Sequence, residues 1–113
     1  MGDVSTIWKV RAIKPYPEAH SHLLIGRVLF QQGPGVTLFC RSFHFGRNVN
    51  GAKDIVPGEL GKRVIPWSRI EIINELSEHF NFEQARLRKD AKGNILLSDD
   101  NFSCVIASRR DGR

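Results

Sequence analysis

The sequence is poor in the features that announce an enzyme, a secreted protein or a membrane span. Its 113 residues include two cysteines, one methionine and one tyrosine, and no run of 18 consecutive apolar residues occurs, which excludes a hydrophobic transmembrane helix. The opening stretch, Met1 to Trp8, lacks the basic-then-apolar pattern of a secretory signal, so the expectation is a cytoplasmic chain without a membrane span. Cys40 and Cys104 both lie in apolar, strand-like stretches, and without a secretory context they read as buried thiols rather than a disulfide. There is no C-x-x-C or H-E-x-x-H, no internal repeat, and no glycine-rich loop opening a helix. A mass of 12.8 kDa leaves room for one core, hence one domain over residues 1–113.

What is present is a globular composition with a basic bias. Hydrophobic residues at 41% and charged residues at 26% exclude wholesale disorder. The net charge of +5 is unevenly placed: ten Lys or Arg stand against four acids as far as Arg69, whereas seven stand against eight from Ile70 onward. The basic surplus therefore belongs to the first two thirds, the part expected to meet an anionic partner if one exists.

The hydrophobic period is mostly two, the mark of strands. Ile7 to Lys14 alternates Ile7, Lys9, Arg11 and Ile13 with Trp8, Val10 and Ala12, and Pro15 and Pro17 stop it around Tyr16. The runs His22–Gln31 and Val36–Phe45 flank Gln32-Gly33-Pro34-Gly35 and predict an antiparallel hairpin. Both its faces carry apolar bulk, which predicts a central, curled hairpin covered on each side. Gly46 to Gly61 reads as a long polar connection with one short strand at Ile55-Val56, and Lys62 to Glu75 as two short strands separated at Pro66-Trp67-Ser68. A short helical turn is expected near Ser77 to Phe82, the alternative being a helix capped by Ser77 or Asn81 and running to Arg88. Arg86–Lys89 and Asn94–Ser98 should pair across Asp90-Ala91-Lys92-Gly93, with Phe102–Ser108 completing a C-terminal meander. The expected core is Leu24, Val28, Leu38, Cys40, Val64, Ile65, Ile70 and Ile72.

A curled hairpin, a variable loop and two short strands across one tight turn resemble the SH3-like small barrels, the group that includes the Sm and Sm-like proteins. Ile65-Pro66-Trp67-Ser68-Arg69-Ile70-Glu71-Ile72-Ile73 looks like the strand, one-turn break and strand that close such barrels, and Gly26 sits where Sm-like proteins often bend their second strand. The resemblance spans Ser21 to Glu75. It implies a small curled antiparallel barrel over 21–75, and together with the C-terminal hairpin or meander read from residues 77–113 the expectation is a mainly β fold with at most a short helix. Sm-like proteins favour Asp or Asn in the turn after the glycine-bent strand, where this chain has Gln31-Gln32-Gly33-Pro34. Their ring-forming and uridine-stacking residues have no counterpart here, so ring assembly and RNA chemistry are not implied.

The candidate binding face consists of Arg41, Phe43, Lys62, Arg63, Trp67 and Arg69, cations for phosphate and aromatics for base stacking, widened by Lys9, Arg11 and Lys14 if the first strand packs alongside. The plainer reading makes the aromatics core and the charges a solvated rim. His20 and His22 in H-x-H spacing, with His44 and Cys40, are the nearest approach to a metal set, but that spacing arises readily on a strand and no further motif supports it; no metal or cofactor is expected. Cys40 and His44 share a strand face yet stand about 13 Å apart, out of hydrogen-bond reach, so no catalytic residue is assigned. Three function classes follow: a non-enzymatic protein-interaction or assembly subunit, with a protein partner or a second copy of the chain; a single-stranded RNA or DNA binder; and a small enzyme or ligand binder. The sequence reading favours the first.

Overall fold

A computed structural model describes residues 6–108, so the expectation drawn from Met1 to Trp8 lies mostly outside the described residues. The chain is mainly β and forms two antiparallel sheets. The larger contains β1 (Ile7–Ala12), β2 (Ser21–Gln32), β3 (Gly35–Phe45), β4 (Val56–Pro57), β5 (Gly61–Pro66) and β6 (Ile70–Leu76). Its order is β4-β3-β2-β1-β6, with β5 also paired to β3. The smaller contains β7 (Arg86–Lys89), β8 (Ile95–Ser98) and β9 (Ser103–Ala107) in that order. Neither sheet closes on itself by strand pairing among the described residues.

The β2–β3 hairpin is the centre of the larger sheet. Gln32 pairs with Gly35 across a two-residue loop whose first residue, Gly33, has φ +60°, the conformation that twisted hairpins require there and that a side chain disfavours. Pro34 follows, where its fixed negative φ fits. Gly26 has a different reason: a Cβ there would lie 2.1 Å from the Phe39 carbonyl oxygen and 2.5 Å from the Cys40 Cα, so β2 and β3 approach too closely for any side chain. The bulge in this pair lies beyond it, at Leu29, where the register shifts between Val28 and Phe30.

Each face of the larger sheet supports its own core, as the two-faced apolar pattern predicts. One face gathers Val10, Leu24, Val36, Leu38, Cys40 and Ile65, with Trp8, Val28, Ile70 and Ile73 packed around them. The other carries Ile7, Leu23, Ile25, Phe43 and Phe45, and β8 and β9 cover it with Ile95, Leu97, Cys104 and Ile106. The expected C-terminal meander thus packs its alternating apolar side on the main sheet.

Three expectations are corrected. The alternative of a helix running to Arg88 is not formed: the expected single turn closes where the Phe80 N–H donates to the Ser77 carbonyl at 3.0 Å, residues 82–84 make a further turn, and the short 3-10 helices among the described residues are Ala52–Asp54 and Trp67–Arg69. Phe80 and Phe82 are both buried in one core, and on a helix residues two apart would point to nearly opposite sides. Val64 and Ile72 are not core residues, at 72% and 50% exposed. Val64 alternates with buried Ile65 and so faces outward. Ile72 is displaced by a bulge: Ala12 pairs with Ile70 and Arg11 with Ile72, leaving Glu71 extra, and the slip moves Ile72 to the face opposite Ile70.

Candidate interaction surface

The six residues of the candidate face do not gather. Phe43 is 0% exposed and is a core residue with no ring face to offer a ligand. Arg41 turns inward beside it, its guanidinium carbon 5.2 Å from the Phe43 ring centroid. One of its amino groups, Nη1, donates to the Phe82 carbonyl at 2.9 Å and to the Ala85 carbonyl at 2.7 Å. Burial pulls its pKa below the ordinary arginine value. Arg41 is therefore a tie between β3 and the turn leading into the smaller sheet, because that turn leaves two carbonyls without strand partners.

Trp67 opens the 3-10 helix between β5 and β6 and latches the hairpin tip. Its backbone N–H donates to the Pro34 carbonyl at 2.9 Å, and its indole Nε1–H to the Gly33 carbonyl at 3.0 Å. Arg69, exposed on the same turn, accepts through its carbonyl oxygen from the Ile13 N–H at 2.8 Å, which ties the turn to the end of β1. Lys62 and Arg63 lie on β5, Lys62 opposite Phe39 and Arg63 opposite Leu38, so they point to opposite faces. Arg63 also donates a long bond, 3.4 Å, to the Glu59 carbonyl.

The face that Arg63 shares with Leu38 carries the histidines. His22 and His44 pair across β2 and β3 and stack, ring centroids 4.0 Å apart at 25°. His22 Nε2 is buried without a hydrogen-bond partner, and burial first, then His44 and Arg63, lower its pKa. Among the described residues no three His, Cys, Asp or Glu side chains are placed to hold a metal ion. Cys40 and Cys104 are both free and buried, and burial pushes each thiol up to about 11, the wrong direction for a nucleophile.

The two edges of the larger sheet were not visible in the sequence. Among the described residues β5 pairs only with β3 and β6 only with β1, so the outer side of each is unpaired. Exposed β-branched residues mark both, Val64 on β5 and Ile72 on β6. The charges differ in sign: Lys62 and Arg63 on β5, Glu71 and Glu75 on β6. A second feature missed in sequence is a groove of about 540 Å³ where the Pro15-Tyr16-Pro17 loop leaves β1 and meets β6. Its signal was present as an aromatic held between two prolines. No helix among the described residues is long and apolar enough to cross a membrane. No protein-family model, curated protein or solved structure matches this chain.

Proposed function

We propose that this chain is a non-enzymatic binding module of the SH3-like small-barrel type, acting as an assembly subunit that pairs the β5 edge of one copy with the β6 edge of another. The barrel reading is supported by connectivity: β5 and β6 lie on opposite edges of the larger sheet, yet only Trp67–Arg69 separate them in the chain. The sheet must curl to bring its edges that close.

The observation that carries the assembly reading is the pair of unpaired edges with opposite charge. An unpaired edge offers a row of backbone donors and acceptors to another strand, and proteins blunt such edges with charge. Here the charge also selects. Two β5 edges, or two β6 edges, would set like charges side by side, whereas β5 against β6 sets Lys62 and Arg63 near Glu71 and Glu75. Continuing the sheet in this way keeps Val64 and Ile72 on one face, where β-branched neighbours contribute roughly 0.2 to 1 kcal/mol per pair. The contact is heterologous, so it yields rings or open chains rather than an isologous dimer.

Sedimentation across a dilution series tests this. The wild-type chain should associate reversibly, less so at high salt, and Ile72→Lys should sediment as a monomer. A wild-type chain that stays monomeric throughout, or an unchanged association in Ile72→Lys, refutes edge pairing.

A further inference from the structure

The groove beside the Pro15-Tyr16-Pro17 loop has the chemistry of a binding site, independent of edge pairing. We propose that it binds a nucleotide unit, a planar base carrying phosphate, presented either as a free nucleoside phosphate or as one unit of a single strand.

Arg11, Ile13, Lys14, Tyr16 and Glu71 line it. Its volume of about 540 Å³ lies in the range of small-molecule sites. Tyr16 is 58% exposed, and the prolines on either side fix two of the flanking φ angles, so the ring is displayed on a stiff loop at little entropic cost. The Tyr16 carbonyl accepts from the Ala19 N–H at 3.0 Å, which closes the loop as a turn. Ile13 is 43% exposed and adds apolar surface to the lining. A displayed aromatic ring in a partly apolar groove is what a base face stacks on, independent of which base it is.

The charges suit the other half of such a ligand. Arg11 and Lys14 line the groove. Glu71 is the acid of the lining, so the site keeps a positive balance. Lys14 has no ion-pair partner among the described residues, which leaves it available to neutralise phosphate. Glu71, brought in by the bulge in β6, supplies an acceptor for a ribose hydroxyl or an exocyclic amine. A ligand that was only an anion would leave Tyr16 unused, and one that was only apolar would leave the cations unused.

Because Tyr16 is the one tyrosine in the chain, its ring resonances can be followed without ambiguity. The full chain is titrated with free AMP and UMP in one arm, and with a short single-stranded RNA of mixed sequence in the other. At least one probe should shift the Tyr16 ring signals. Response to the mononucleotides identifies a free-nucleotide site; response to the strand alone identifies a strand site. Tyr16→Ala should weaken the binding by about 5- to 150-fold, with the salt dependence unchanged because stacking releases no counterions, and Tyr16→Phe should restore it. In the strand arm, Lys14→Gln should lower the slope of log affinity against log salt by about 0.7, while Lys89→Gln on β7 should not. Failure of both probes to bind, unaltered affinity in Tyr16→Ala, or equal slopes for Lys14→Gln and Lys89→Gln would overturn the proposal. Should Tyr16→Ala fold poorly, Tyr16→Phe against Lys14→Gln still decides it.

Discussion

Replacing Arg41 separates a structural from a ligand-binding role for the most buried cation of the candidate face. Its Nη1 bonds to the Phe82 and Ala85 carbonyls at 2.9 and 2.7 Å are the side-chain hydrogen bonds that join β3 to the turn preceding the smaller sheet. A hydrogen bond to a charged group contributes about 1.5 to 3 kcal/mol, but the two share one nitrogen, Arg41 is only part-buried, and water can reach part of the gap after truncation. The expected loss for Arg41→Ala is therefore about 2 to 3 kcal/mol, including the guanidinium contact with Phe43. For a domain of this size that lowers Tm by roughly 8 to 18 °C. Arg41→Lys should fall between the two, since an ammonium on a shorter reach cannot hold both carbonyls in the planar geometry of a guanidinium. Urea melts give the magnitude, and amide exchange gives the location: protection should fall first in β7 to β9. A loss below about 0.5 kcal/mol, with protection in β7 to β9 unchanged, refutes the tie.

Gly26→Ala should cost about 1 to 3 kcal/mol or more in a urea melt, because the new methyl meets backbone atoms at 2.1 and 2.5 Å that cannot rotate away. Leu38→Ala should cost about 2 to 5 kcal/mol, while Val64→Ala, at an exposed position, should stay within about 0.5 kcal/mol in the same assay. His22 makes the fold acid-sensitive: its folded pKa lies below 6.5, so the unfolded chain binds the proton more readily and stability falls as pH drops below that value. The urea midpoint of the wild type should therefore fall more between about pH 7 and about pH 5 than that of His22→Phe, and equal falls would show that the stacked pair carries no such penalty.

Strands and their turns were legible in the sequence because their determinants are local. Alternation in Val36–Phe45 puts Phe39, Phe43 and Phe45 on one face and Val36, Leu38 and Cys40 on the other, and the two cores of the structure have that division. Gly33-Pro34 and Asp90–Gly93 turn where their backbone preferences dictate, with Gly93 at φ +89° and the Asp90 carboxylate accepting from the Lys92 and Asn94 N–H groups. What only the tertiary structure decided concerns parity, pairing and cover. One bulge at Glu71 exchanged Ile72 for Ile73 in the core, since a single extra residue inverts a period of two and leaves no trace in composition. The turn from Ser77 to Phe80 does not continue as a helix, because the core between the sheets takes both Phe80 and Phe82 and offers more apolar burial than another helical turn offers in hydrogen bonds. Arg41 and Phe43 look like any basic and aromatic pair in sequence. The turn at Phe82–Ala85 and the sheet that follows it, about 40 residues farther along the chain, made one a core ring and the other a tie, because burial is decided by whatever packs opposite.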